Sequence, residues 1–451
     1  MTPTERDLWF LPLGGTGEIG MNFNLYGHDG RWLAVDCGVM FGNEHVPGPA
    51  VQLADPEFIA TRRDQLSALV ITHAHEDHVG GVAWLWKQLR CPIYTTPFTA
   101  QVLRRKLAEV GLVDRVPITE VQRGDRITID VFDVQWVGLT HSIPEPNALF
   151  IRTPAGNVFH TADWKLDPDP VVGQAFSEQA YRDLAAQGVS AMVCDSTNAT
   201  LQGHSLSEGE LYAGLHGAVA AASGRVVVGC FGSNLARLHT LARVAKSTGR
   251  AMGMLGRSLY NITSAARAAG LWEVEQKLID ASALGYFPRD ELLVVATGSQ
   301  GEPRAALSRL ATDRHPDLSL DEGDTVVFSS KVIPGNERSV ERLIARLEDM
   351  GVRIVMSEDS ELPIHASGHP GAEELRRMYG WVRPLIAIPT HGEEKHLRAN
   401  AAIAGDCGVP RQLLGTNGDL YVIAPKPDVR RGAARTGRLG LTPKGLSAVA
   451  T

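Results

Sequence analysis

The chain has 451 residues, 44% of them hydrophobic and 21% charged, with a formal net charge of −7. This length supports about three domain-sized units and a sizeable core. The charge balance excludes a chain-wide basic surface but not a local positive cleft, and the absence of any period among 46 glycines and 25 prolines excludes collagen and low-complexity classes. Cys37, Cys91, Cys194, Cys230 and Cys407 stand far apart and form no CxxC pair, so a disulfide framework is not expected and a reducing cytoplasm is. The opening MTPTERDLWFLPLGG lacks a basic-then-apolar leader pattern, and no stretch approaches about 18 uninterrupted apolar residues, so neither secretion nor a membrane span is expected.

In chain order, short apolar runs bounded by Gly or Asp predict strands at 8–13, 21–26, 31–35 and 68–72. Val102, Leu103 and Leu107 recur near helical spacing and predict a helix over 98–110. Further strands are predicted at 126–132, 134–139, 148–152 and 157–161. Near residue 205 the texture changes to one-to-one alternation: strands at 225–230, 291–296, 325–329 and 353–356, helices at 235–247 and 339–350. Such alternation predicts a parallel-sheet unit, placed as a second domain at 206–360. A helix near 372–379 and a strand at 385–389 follow. The stretch 426–451 carries Lys426, Arg430, Arg431, Arg435, Arg438 and Lys444 against one acid, Asp428, without periodicity. It is expected to be a basic, disordered tail, with an RNA-contacting arm as the alternative.

The strongest chemical signal is THAHEDHVGG at 72–81, where His73, His75, His78 and Asp77 crowd the loop after an apolar strand. Side chains at a strand's carboxyl end converge into a crevice. Neutral imidazole and carboxylate are good zinc donors, and manganese accepts the same types. Four such groups exceed what one open tetrahedral site uses, so two divalent metal ions are inferred, Zn2+ first and Mn2+ as the alternative.

This motif resembles the signature of the metallo-β-lactamase superfamily. The resemblance implies an αββα sandwich with metals at one edge of two sheets. It also implies that His141 in LTHSIP, Asp163 in FHTADWK and His391 in IPTHGE complete the ligand set. By resemblance, His73, His75 and His141 hold one metal, Asp77, His78 and His391 the other, and Asp163 bridges. Asp77 is assigned a catalytic as well as a ligand role. Asp36 in LAVDCG matches an aspartate that orients the site.

Further segments resemble the β-CASP nuclease branch, and within it the ribonuclease J family: LPLGGTGEIGMN, CDSTNAT, FGSN, GRSL, ATGSQGEP, IPGNE, HASGHPGAEEL and PTHGE, spread over residues 10–425. The implied fold class is α/β, a metallo-β-lactamase αββα sandwich with an inserted parallel-sheet β-CASP domain. The sandwich would occupy 1–205 and return over 361–425, which explains how far His391 lies from His73 in sequence. The implied function is hydrolysis of single-stranded RNA, 5′-to-3′ and also internally. Such hydrolysis needs a nucleophilic water, charge neutralisation and a protonated leaving group; two metals about 3.5–4 Å apart supply the first two. His369 in the SGH motif is the expected acid, and Asp195 in CDST its orienting partner. Ser233, Asn234, His365, Ser367, Gly368 and His369 are expected to hold RNA phosphates, including a 5′-monophosphate, beside helix N-termini. Arg237, Arg257, Lys331, Arg338, Arg376 and Arg377 are candidates to line the RNA path. Aromatic residues make up only 6%, so backbone contact is expected rather than a long stacking platform.

Members of that family continue into a small C-terminal domain, whereas this sequence ends at Thr451. The chemistry is expected to survive without it, and a homodimer is carried as an expectation. Two other readings use the same ligands: a hydrolase of a small thiolester or lactone, and a non-catalytic RNA binder with structural metals.

Overall fold

The computed structural model describes residues 1–449. Its apolar runs become two facing mixed sheets. Across the first lie Asp428–Arg430, Leu420–Ala424, Leu8–Gly14, Phe23–His28, Arg31–Val35, Leu66–Val70, Ile93–Thr95 and Ile118–Glu120. Across the second lie Arg411–Gln412, Ile386–Thr390, Ala191–Asp195, Gly156–His160, Asn147–Thr153, Phe132–Gly138 and Arg126–Ile129. Both faces of these sheets are covered, which is why the strands read as nearly continuous apolar runs. In Arg31–Val35, Leu33 and Val35 point between the sheets while Trp32 and Ala34 point to the helices outside. Phe10, Tyr26, Trp136, Leu149, Ile388 and Tyr421 fill the space between the sheets, all fully buried. Helices Val82–Leu89 and Pro97–Glu109 cover one outer face; Glu178–Ala186, Ala372–Val382 and Glu394–Asp406 cover the other. The result is an αββα sandwich.

A third sheet is wholly parallel, in the order Leu278–Ile279, Ala251–Leu255, Leu292–Ala296, Val226–Gly229, Thr325–Phe328 and Arg353–Val355. Val226 and Val228 face one core and Val227 the other, so this sheet too is buried on both sides. After it, Ile386–Thr390 returns to the sandwich and pairs in parallel with Ala191–Asp195, placing Thr390 opposite Asp195. That pairing carries His391 back to the first part of the chain.

Most predicted strands shift by a residue or two at their ends, and two differences have a clear local cause. The strand predicted over 68–72 ends at Val70, because the Thr72 amide leaves the ladder and donates to Asp36 Oδ1 at 2.8 Å. The single strand predicted over 126–132 is a hairpin turning at Asp130, whose φ is 56°.

The basic stretch from 426 is not a disordered tail. It forms Asp428–Arg430, Arg438–Thr442 and Gly445–Ala448, with Arg438–Thr442 pairing against Val51–Ala54. Leu439, Leu441 and Leu446 pack on the sandwich core. Arg431 meets Asp419 at 2.7 Å, Arg438 meets Glu18 at 2.7 Å, and Arg430 lies over the Trp9 ring. Composition showed only the basic residues; their acidic partners lie elsewhere in sequence. Residues 450–451 of that stretch lie outside the described residues. Among the described residues no helix is long and apolar enough to cross a membrane.

Candidate metal centre and active site

Each candidate ligand leaves the carboxyl end of a strand. His73, His75, Asp77 and His78 follow Leu66–Val70; His141 follows Phe132–Gly138; Asp163 follows Gly156–His160; His391 follows Ile386–Thr390. The chain bends sharply to aim them: Asp36, Ala162 and His391 take left-handed φ values of 63°, 52° and 50°. Non-glycine residues adopt such values at a cost, and they cluster where function holds them. Gly38 has no room for a Cβ, which would sit on the Asp77 carbonyl. Cys37 and Asn22 amides then hold the 77–78 backbone, at 2.7 Å to the His78 carbonyl and 2.9 Å to the Asp77 carbonyl.

The seven candidate ligands fall into two sets, each within 4.8 Å: His73, His75, His141 and Asp163; and Asp77, His78, Asp163 and His391; a third grouping within the same distance joins Asp163 and His391 to Asp195 and His369. Asp163 belongs to both ligand sets. Hydrogen bonds on the far ring nitrogens aim the imidazoles. His78 Nδ1 donates to Asp36 Oδ2 at 2.8 Å, which turns Nε2 inward. His141 Nδ1 donates to the Gly368 carbonyl at 2.6 Å. Thr72 Oγ1, itself donating to Asp36, lies 3.0 Å from His73 Nδ1. Such outer partners fix the tautomer and the ring plane.

The two sets differ in charge. Burial, reinforced by neighbouring imidazoles, pushes His73 and His141 well below the ordinary histidine value and His75 down to about 4, so these rings are neutral. Burial acts the same way on His78 and His391, but the carboxylates win: Asp163, Asp77 and Asp36 raise His78, while Asp163, Asp195 and Asp77 raise His391. Burial would raise Asp77, Asp163 and Asp195, but adjacent imidazoles hold all three below the usual carboxylate range. A divalent cation would take over this compensation and expel the protons. Asp163 Oδ1 and His391 Nε2 are buried without a hydrogen-bond partner, as donors reserved for a cation would be. The residues fit two metal ions.

His369 stands beside both sets, 3.9 Å from Asp163 Oδ2. Its Nδ1 donates to Asp195 Oδ2 at 2.8 Å. Asp195 Oδ1 meanwhile accepts from the Thr197 amide at 2.9 Å and hydroxyl at 2.7 Å. Asp195 is thus both a turn aspartate and the partner of His369. Burial would lower His369, but Asp195 outweighs it and the ring is raised above its ordinary value.

Asn22, Thr197 and Asn198 also shape the site and were not singled out from the sequence. Asn22 Nδ2 donates to the Asp77 carbonyl at 3.1 Å. Asn198 Nδ2 donates to Ser367 Oγ at 2.8 Å and to the His369 carbonyl at 3.2 Å. All three lie inside the quoted GMN and CDSTNAT segments, whose motif character was their only signal.

The expected phosphate residues are brought together unevenly. The 365–369 loop lies over His141, and Gly368 is obligatory there: a Cβ would meet His141 Cε1 and Ser142 Oγ, both at 2.7 Å. Gly368→Ala is expected to weaken metal affinity about 10–100-fold, because it displaces the carbonyl that holds His141. A metal titration checks this, with circular dichroism unchanged. Ser233 is half-buried, and burial together with Arg237 pushes His365 down to about 3. Asn234 does not offer its side chain to a phosphate. Its Oδ1 caps helix Leu235–Ser247 at the Arg237 amide, 2.9 Å away, and its Nδ2 donates to Glu208 at 3.0 Å.

Arg237 does not line an RNA path either. It is 1% exposed, pairs with Glu208 at 3.1 Å and donates to the Ser329 carbonyl at 2.7 Å. Arg237→Met leaves Glu208 buried and unpaired, so a loss of about 3–5 kcal/mol in a urea titration is expected. Arg377 lies over the Trp381 ring, and Arg338 faces Glu44 at 3.6 Å. Arg257, Lys331 and Arg376 are exposed.

Three family models match the chain: a β-lactamase superfamily domain at 31–184, the β-CASP domain of ribonuclease J at 223–347, and an RNA specificity domain of zinc-dependent metallo-hydrolases at 363–404. A ribonuclease J of Sinorhizobium meliloti is 44% identical over 94% of this chain and 75% of its own length. Those of Mycolicibacterium smegmatis and Mycobacterium tuberculosis are 39% and 37% identical, over 76% and 78% of theirs. A solved protein of unknown function from Enterococcus faecalis shares the fold at a TM-score of 0.64 and 15% identity, covering 92% of this chain and 100% of its own. With two donor sets sharing one aspartate on this sandwich, and relatives this similar along most of their length, the chain belongs to the ribonuclease J family of β-CASP metallo-β-lactamase-fold hydrolases.

Proposed function

We propose that the protein is a two-metal ribonuclease that degrades single-stranded RNA from a 5′-monophosphate end and also cuts internally. The observation that carries this reading is the Asp163 carboxylate shared by two donor sets beside the His369–Asp195 pair. His73, His75, His141 and Asp163 would hold one cation, and Asp77, His78, His391 and Asp163 the other. Zinc suits this donor set, and the matched RNA specificity domain is described as zinc-dependent; manganese takes the same donors. When bound, the cations supply a water nucleophile at neutral pH and neutralise charge on the phosphoryl oxygens.

The chain's own residues do the rest. Asp195 holds His369 by Nδ1, so Nε2 carries a proton toward the leaving ribose oxygen. Ser233, His365, Ser367 and Gly368, just ahead of helices at Leu235 and Ala372, bind the 5′-phosphate. The same proposal divides the chain into a sandwich over 1–205 and 361–425 and an inserted unit over 206–360. Five cysteines free of disulfides suit a reducing cytoplasm.

The test is a 5′-monophosphorylated, 3′-labelled RNA with zinc or manganese, run beside its 5′-triphosphate form and His78→Ala. Mononucleotides from the monophosphate alone, with an inert variant, are expected. Internal cuts in both RNAs, with no mononucleotides released from the monophosphate form, would overturn the end-binding pocket. Two bound metals with no cleavage of either RNA would overturn the ribonuclease.

A further inference from the structure

The parallel sheet carries a cavity of about 400 Å3 apart from the metal donors. It lies at the carboxyl ends of Ala251–Leu255 and Leu292–Ala296, where helix Arg257–Ala268 begins. Crevices at strand carboxyl ends are where open α/β sheets bind ligands. Arg257, Arg304 and Arg309 line it, all exposed, and among the described residues none of the three has an ion pair or side-chain hydrogen bond. The acid in the wall, Asp317, faces His315 at 3.9 Å. Tyr260 closes one side: its hydroxyl donates to the Met254 carbonyl at 2.9 Å, and 40% of the residue stays exposed.

Three guanidiniums without an ion pair, against the single wall carboxylate Asp317, leave net positive charge that a phosphate would satisfy in a bidentate way. The flat Tyr260 ring beside them suits a base. The cavity shares Thr297 with the surroundings of the FGSN loop. Ser258 and Thr297 pack against Gly232 of the FGSN loop. The Ser329 hydroxyl donates to the Ile364 carbonyl at 2.6 Å, just before His365.

We propose that this cavity is a second subsite for the RNA strand, taking a nucleotide remote from the scissile bond, with the arginines on its phosphates and Tyr260 under its base. The proposal rests on the ribonuclease reading for its ligand. The test uses the full, metal-loaded chain, uncleavable 2′-O-methyl RNA and the triple variant Arg257→Gln, Arg304→Gln, Arg309→Gln. Affinity for an RNA of about twenty nucleotides should fall at least about tenfold, with the salt slope shallower by about 0.7 for each phosphate that the variant no longer neutralises. Affinity for about four nucleotides should not change. Tyr260→Ala, which removes no charge, should weaken the long RNA about tenfold at an unchanged slope. Equal loss at both lengths, or none, would overturn the subsite. Binding of uridine monophosphate that disappears in the triple variant, with long RNA unaffected, would overturn it in favour of a free nucleotide site. A wild type that cleaves no RNA, with arginine-dependent binding of the long RNA, would sink the ribonuclease and sustain the subsite.

Discussion

Asp163→Ala is expected to lower RNA hydrolysis at least about a thousandfold, since metal-based charge stabilisation contributes several kcal/mol and each decade in rate is about 1.36 kcal/mol. The reason is positional: Asp163 belongs to both donor sets, its two oxygens lying 3.0 Å from His391 Nδ1 and 3.2 Å from His78 Nε2. In the metal-free protein its removal also takes away the first of the carboxylates that raise those two imidazoles. Elemental analysis should show neither metal retained, whereas His78→Ala, which touches one set, should lose one. Far-UV circular dichroism should be unchanged, because the sandwich core lies between the sheets and not at their rim. An Asp163→Ala protein that keeps both metals, or more than a tenth of its activity, would refute the bridging assignment.

His369→Ala should lower kcat by about 10²–10⁴-fold while keeping both metals, since a positioned general acid contributes that much. The discriminating substrate is one whose leaving group needs no proton, such as bis-p-nitrophenyl phosphate. Its turnover should fall far less than that of RNA. The pH profile carries the sign of the role. An acid must be protonated to act, and Asp195 raises His369 above its ordinary value. Activity due to this proton is therefore present at low pH and declines as pH rises through the His369 value. Asp195→Asn removes the carboxylate, lowers that value and should shift the alkaline limb to lower pH. Equal losses on both substrates, or an unmoved limb, would assign His369 to substrate positioning instead.

The cluster at 72–81 stood out in the sequence because metal chemistry narrows residue choice severely. HAHEDH places four donors in six residues, and few other uses explain that density. His141, Asp163 and His391 are lone residues near strand ends, and only the family pattern picked them out. Ser233 and Asn234 show the limit of motif reading. Side by side in FGSN, they look alike as phosphate residues, yet Asn234 is taken up by a helix cap and by Glu208. Arg237 shows it again: a cation beside a loop reads as a surface charge until Glu208 appears against it.

By itself, then, the sequence determined the strand and helix rhythm and the 72–81 cluster of donor-type residues, because burial on both faces and metal affinity each demand particular side chains at particular spacings; the sandwich and the remote donors were implied only by the family resemblance. The tertiary structure decided which polar groups are free. Whether an arginine meets RNA or a glutamate, and whether the stretch after 426 hangs loose or pairs with Val51–Ala54, depends on partners far away along the chain. A buried charge is stable only beside its counter-charge, and a short edge strand only on its neighbour. Those juxtapositions exist only once the chain has folded.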